Sequence, residues 1–119
     1  MVKVEVNRKM RPIKFRAWCN QKMFEPFDLM DLKEPIDYWH DGTILMQFTG
    51  LLDKNCKEIW EGDILKYKPF EMLVTVVEFF EGGFWMMNYP KDGHGVPVGS
   101  FKESREVLGN IYENPELLK

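Results

Sequence analysis

The sequence predicts a single, mainly β domain, and three observations carry that prediction. Short runs of β-branched and aromatic residues recur at roughly 8–12-residue spacing, divided by turn signals such as Asp41-Gly42, Asp53-Lys54-Asn55-Cys56 and Gly82-Gly83. The one stretch with helix-like apolar spacing, Phe27, Met30 and Leu32, lies between Pro26 and Pro35, which confine a helix to about two turns. The 119 residues are 45% apolar and 14% aromatic, enough to bury a core without disulfides or metal and far from a disordered composition. Together these describe a small SH3-like barrel or a curved antiparallel sheet, with an N-terminal strand and a short helical or irregular segment.

Residues 1–10 read as an extension of mixed charge, and 11–119 as one domain. From Ile13 the pattern alternates, with Ile13, Phe15, Ala17 and Cys19 on one side and Lys14, Arg16 and Trp18 on the other, as in a half-buried strand with a wet basic face. Asn20, Gln21 and Lys22 break it. Residues 24–37 are read as irregular with a short helix. Ile44 to Thr49 is the next strand, Lys57 to Trp60 resumes an extended pattern after the Asp53 turn, and Ile64 to Tyr67 follows. Met72 to Phe80 is apolar almost throughout, which predicts burial on both faces or a strong bend. Gly82-Gly83 signals a two-residue hairpin, with Phe84 to Tyr89 pairing back. Residues 90–99, with three glycines and two prolines, predict an exposed, mobile loop. Val107 to Tyr112 supplies a last strand and 113–118 a tail with one helical turn. Residues 53–112 are the expected barrel core.

The net charge of −3 hides an asymmetry. Residues 1–22 hold seven bases against Glu5, a local +6, so the rest carries −9. A basic arm of Lys3, Arg8, Lys9 and Arg11 suits phosphate, but an acidic body repels nucleic acid over about a Debye length. No apolar run reaches the ~18 residues of a membrane span and no signal peptide is evident, so a soluble, intracellular protein is expected. Cys19 and Cys56 lie too far apart for a zinc motif and are read as reduced thiols.

The ordered segments Phe15-Arg16-Ala17-Trp18, Met46-Gln47-Phe48-Thr49-Gly50-Leu51, Asp53-Lys54-Asn55, Glu58-Ile59-Trp60-Glu61-Gly62-Asp63-Ile64 and Gly109-Asn110-Ile111-Tyr112-Glu113-Asn114-Pro115-Glu116-Leu117-Leu118 resemble the YopX family. The resemblance runs from Met10 to the C-terminus. It implies a mainly β fold and a bacteriophage or prophage setting in a bacterial host, and it implies no reaction. Two departures stand out. Cys56 replaces the glycine that usually ends the Asp-Lys-Asn-Gly turn, at an expected cost of roughly 1 kcal/mol if its φ is positive. The extension before Met10 is also outside the family pattern.

Trp60-Glu61-Gly62-Asp63-Ile64 offers the one carboxylate pair on a turn, Glu61 and Asp63. Turn acids more often bond backbone amides than act as general acids, so Trp60, Gly62 and Asp63 are read as a structural corner. His40-Asp41 and Asp92-Gly93-His94 sit in turn-rich stretches without further ligands, so no metal, cofactor or catalytic residue is assigned. Phe84-Trp85-Met86-Met87 is apolar on both faces of a short strand, and one face needs a cover. The expectation is therefore a non-enzymatic phage accessory protein that recognises a phage or host protein and assembles with itself. Phe24, Phe27, Asp28, Asp31, Trp85 and Met87 are its candidate interaction surface. Nucleic-acid binding through the basic arm and barrel aromatics is the alternative, disfavoured by the acidic body.

Overall fold

In a computed structural model, which describes residues 12–28, 42–70 and 72–119, ten strands form two antiparallel five-stranded sheets, one of them curled as a half-barrel. The first contains β1 (Lys14–Cys19), β2 (Lys22–Met23), β3 (Phe27–Asp28), β4 (Ile44–Leu52) and β5 (Glu58–Trp60). Its order is β2-β1-β4-β5, with β3 also pairing to β1. The second contains β6 (Asp63–Lys66), β7 (Val74–Phe80), β8 (Gly83–Tyr89), β9 (Gly95–Pro97) and β10 (Glu106–Asn110), in the order β10-β6-β7-β8-β9. A 3₁₀ turn at Pro115–Leu118 closes the chain, and no α-helix occurs among the described residues.

Both tight hairpins place two consecutive residues at positive φ, the backbone twist that matches strand twist. Asn20 and Gln21 (φ 52° and 62°) join β1 to β2, and Glu81 and Gly82 (45° and 81°) join β7 to β8. The second loop is thus Glu81-Gly82, one residue earlier than the expected Gly82-Gly83, and Gly83 pairs with Phe80 as the first residue of β8. The core joins the sheets through Ile59, Leu65, Tyr67, Val77, Met86 and Val98, with Leu51 of β4 packed against it. Thr75, also fully buried, satisfies its hydroxyl on the Leu65 carbonyl at 2.8 Å.

The structure corrects four further expectations. Lys14 and Arg16 do not form a wet face, because β5 and the corner after it cover that side of β1. Lys14 pairs with Glu58 and sits over the Phe48 ring, and Arg16 pairs with Asp63. The strand expected from Met72 starts at Val74, and although Thr75, Val76 and Val77 are buried, Phe79 and Phe80 are exposed. Residues 90–99 are not simply a loop: Gly95–Pro97 pairs with β8 and Val98 is buried. Gly95 makes that pairing possible, because a Cβ there would lie 2.5 Å from Met87 Sδ and 2.7 Å from the Met86 carbonyl. Finally, Phe27 and Asp28, expected to start a helix, pair with Phe15 and Lys14 as β3; residues 29–37 of that segment lie outside the described residues.

Cys56 has φ +63° and is exposed, in the position where the family pattern carries glycine. A Cβ in the left-handed region costs roughly 1 kcal/mol. Cys56→Gly is therefore expected to raise unfolding stability by about 1 kcal/mol in urea titration without changing the slope.

Candidate functional site

The Trp60–Asp63 corner ties the two sheets together. Gly62 takes φ +84° between β5 and β6, a conformation that an L side chain resists, and a Cβ there would press on Met46 Sδ at 3.2 Å. The Gly62 N–H donates to the Val77 carbonyl and its own carbonyl accepts from Ile111, at 2.9 Å each. Asp63 is almost fully buried. Its Oδ2 accepts from the Trp60 N–H at 2.8 Å and its Oδ1 accepts from Arg16 Nη2 at 2.7 Å. Glu61 turns the other way, and its Oε1 accepts from the Gln47 N–H at 2.9 Å. The two carboxylates of the corner therefore bond different backbone amides and do not face one another as an acid–base pair. Burial pushes the Asp63 carboxyl above its ordinary value, against the opposing pull of Arg16 and the Trp60 amide.

Arg16 also donates to the Glu61 carbonyl at 3.2 Å, and its guanidinium lies 5.4 Å from the Trp60 ring. Its Nε is buried with no hydrogen-bond partner among the described residues. The Arg16–Trp60 pair floors a cavity of about 440 Å³, whose other polar walls include Lys57, Glu58, Asn110 and Glu113. Most of that charge is paired internally: Glu58 with Lys14, Asp63 with Arg16, and Glu113 through the Asn110 amide at 2.9 Å.

Two further polar clusters are structural and were not singled out in the sequence. Asp53 gathers three backbone amides: Oδ1 accepts from Asn55 and Lys57 at 2.8 Å, and Oδ2 from Val107 at 3.0 Å. Burial pushes its carboxyl up, but these bonds and the Lys57 charge prevail and hold it below the ordinary range. Beside it Arg105, 2% exposed, donates Nε and Nη2 to the Leu52 carbonyl and Nη1 to that of Val98. In the tail, Asn110 Oδ1 accepts from Tyr112 and Glu113, while Asn114 Oδ1 accepts from Asn110 and sits 2.4 Å from where a Cβ on Gly109 would be. Tyr112 is thereby stacked on Trp18 at 5.6 Å.

The residues expected to form an interaction surface are not brought to one place. Phe24 is exposed beside Lys22, while Phe27 is half-buried and stacked on Phe15 at 6.2 Å. Asp28 lies in β3, and Asp31 falls outside the described residues. Trp85 is half-buried and donates Nε1 to the Phe80 carbonyl at 2.9 Å, and Met87 is half-buried under Gly95. Of the histidine motifs, Asp92 holds a local turn by accepting from the His94 N–H and from Asn88, and His40-Asp41 lies outside the described residues. Among the described residues no three His, Cys, Asp or Glu side chains converge as metal ligands, and no helix is long and apolar enough to cross a membrane. Cys19 is buried, Cys56 exposed, and both are free thiols.

A different apolar surface stands out. Two segments meet at the end of the second sheet, one where the Leu73 N–H bonds the Phe70 carbonyl, the other at 101–105, closed on the Phe101 carbonyl. The Lys68 N–H donates to Ser104 Oγ at 3.1 Å and clamps the two together. Phe101 takes φ +55°, a left-handed conformation unusual for a bulky side chain, and this lays its ring on Tyr67 at 4.4 Å with Phe70 edge-on to both. Met72 beside them is 95% exposed, and Phe70, Leu73 and Phe101 are exposed as well. At the far end of β7, Phe79 and Phe84 meet edge to face at 5.3 Å and border a cleft of about 300 Å³, lined also by Pro12, Phe48 and Gly83.

The family model described as YopX protein matches residues 26–119. The chain is also similar to a crystal structure of protein EF1440 from Enterococcus faecalis, at 28% identity and a TM-score of 0.60, over 90% of this chain and 98% of that one. No curated protein matches it. The matched residues begin after β1, yet the solved structure covers nearly the whole chain, so the two-sheet arrangement extends beyond the family-model region.

Proposed function

Because the chain belongs to the YopX family, we propose that it is a bacteriophage accessory protein of the bacterial cytoplasm, without catalytic activity, that acts by protein–protein recognition and as a homo-oligomer. The observation that supports this reading most is the tip formed by Phe70, Met72, Leu73 and Phe101. Four large apolar side chains are exposed at one end, with Phe70 and Phe101 held there by ring contacts to Tyr67, and an exposed apolar patch of this kind marks an interaction surface. The left-handed backbone at Phe101 adds to it, since strain of about 1–3 kcal/mol persists where a function holds it. The buried acids and bases are engaged in the fold: Asp53 and Asp63 hold backbone amides, and Arg16 and Arg105 hold carbonyls. Lys14 and Arg16, part of the N-terminal basic excess, are paired with Glu58 and Asp63, which leaves less cationic surface for phosphate.

The test is a tagged pull-down from lysate of the host bacterium, split into nuclease-treated and untreated halves, with Phe70→Asp/Met72→Asp beside the wild type. A bacterial protein enriched in both halves by the wild type and lost with the variant is the expected result. Enrichment that disappears with nuclease would replace this reading with nucleic-acid binding. Met72 is almost wholly in solvent, so Met72→Asp alone is expected to stay within about 0.5 kcal/mol of the wild type, while Phe70→Asp also removes ring contacts with Tyr67 and Phe101 and is expected to cost about 1–2 kcal/mol more, which leaves the double variant folded.

A further inference from the structure

The first sheet carries a second surface, away from the apolar tip and of different chemistry. From it we infer that an acidic, aromatic groove between the β1–β2 hairpin and the C-terminal turn binds an extended peptide that combines proline with arginine or lysine. Two concavities make up the groove, of about 660 and 260 Å³, with Met23 as a shared wall. Its apolar walls are Trp18, Phe24 and Tyr112, with Pro26 and Pro115 beside them. The walls are set by the fold. The Phe24 N–H donates to the Ala17 carbonyl at 2.8 Å, and the Asn110 and Asn114 bonds fix the turn that carries Tyr112. A groove already in shape loses little freedom when a ligand enters.

The aromatic side chains select the backbone of the ligand. Trp18 and Tyr112, stacked at 5.6 Å, each bring an apolar ring and a polar donor. Neither the indole N–H nor the phenol hydroxyl has an acceptor among the described residues. A polyproline II segment is the complement of such a wall: its carbonyls have no internal partners, its rings pack on aromatic faces, and it is extended before it binds. Charge selects the rest. Glu25, Glu113 and Glu116 line the groove, and none of them is in an ion pair among the described residues. Glu113 gives one oxygen to the Asn110 amide and keeps its charge. Against these three carboxylates stands Lys22, held 5.4 Å from the Phe24 ring, while Arg16 on the inner wall is paired with Asp63. The excess of negative charge attracts a basic peptide and repels a phosphate backbone. None of the tip residues lines this groove, so the two surfaces are separable by substitution.

The test is a titration of the full chain with three synthetic peptides of equal length: Pro-Pro-Arg repeats, Gly-Gly-Arg repeats and unbroken proline. Calorimetry reads the affinity, and the Trp18 indole N–H resonance reads the place. The Pro-Pro-Arg peptide is expected to bind and to move the Trp18 signal, and the other two to bind roughly tenfold or more weakly. Glu25→Lys/Glu116→Lys, at two exposed positions, is expected to weaken binding about tenfold by turning attraction into repulsion. Tyr112→Phe keeps the ring stack and is expected to weaken it roughly threefold to tenfold through the lost hydroxyl. Met72→Asp at the tip is expected to change nothing. Equal binding of the glycine peptide would overturn the part given to proline, and equal binding of unbroken proline the part given to the carboxylates. Binding that leaves the Trp18 signal in place, or that survives both groove variants, would overturn the site. No binding of the Pro-Pro-Arg peptide at millimolar concentration would overturn the inference altogether, while the pull-down with the tip variant would still decide the proposed function.

Discussion

Arg105→Met is expected to destabilise the fold by about 4 kcal/mol in urea titration. The guanidinium has two buried carbonyls as partners, Leu52 and Val98, with three donors fixed in one plane. Removing it orphans both acceptors, at roughly 1–3 kcal/mol each. It also removes the cation beside Asp53, which then keeps its negative charge with less compensation. Arg105→Lys is expected to recover less than half, because one ammonium on a flexible stem cannot reproduce a planar fork aimed at two separate oxygens. The partner carboxyl adds a pH signature. Asp53 is held below its ordinary value of 3.8, so its contribution is present above that value and is lost as the pH falls through the lower, folded one. Asp53→Asn is expected to lower stability at neutral pH and to flatten this acid limb.

The second large effect is expected at the corner. Arg16→Met strips the buried Asp63 carboxyl of the cation it is paired with, a change expected to cost about 3–5 kcal/mol. Asp63→Asn is expected to cost a similar amount, since it places an amide against a buried guanidinium. Replacing both residues with apolar ones removes the uncompensated charge but not the unpaired Trp60 N–H, so the double variant is expected to regain part of the loss and remain about 1–3 kcal/mol below wild type. The pH sign is opposite to that of Asp53. The folded value of Asp63 is raised, so its contribution is full below 3.8 and is lost as the pH rises through the folded value. Stability measured across the acid range is expected to lose that descending component in Asp63→Asn and to keep it in Asp53→Asn. Identical acid profiles for the two variants would contradict the assignment of separate roles.

Much of the fold was legible because β-structure writes its pattern locally. The strands around Ala17, Phe48, Leu65 and Met86 each carry alternation or β-branched residues between turn residues, and a turn needing positive φ shows in Gly62 and in the departure at Cys56. The hairpin slipped by one residue because Glu81, which has no special turn chemistry, takes the left-handed position ahead of Gly82. What could not be read locally was partnership across the chain. Arg16 meets Asp63 across 47 positions and Arg105 meets Leu52 across 53, so spacing along the sequence says nothing of either. Arg16 therefore looked like a wet strand residue, and Arg105 carried no local signal.

The apolar tip was missed for a related reason. Met72 and Leu73 read as the start of a buried strand, and nothing in the local pattern marked Phe70 or Phe101. The Lys68–Ser104 bond and the Tyr67–Phe101 stack bring the two segments together, across more than 30 positions, and leave them facing solvent. The expected surface at Trp85 and Met87 followed from an apolar strand needing a cover, and β9 with Gly95 supplies much of that cover from within the chain.

The central claim is that this protein works through apolar protein–protein contact, and the most direct measurement is sedimentation velocity of the wild type over a wide concentration range at low and high salt. Mass-action assembly that persists at high salt, and is lost in Phe70→Asp/Met72→Asp, is the result the account requires. A monomer at every concentration would contradict the homo-oligomer, and an assembly that the tip substitutions leave untouched would contradict the role given to the tip.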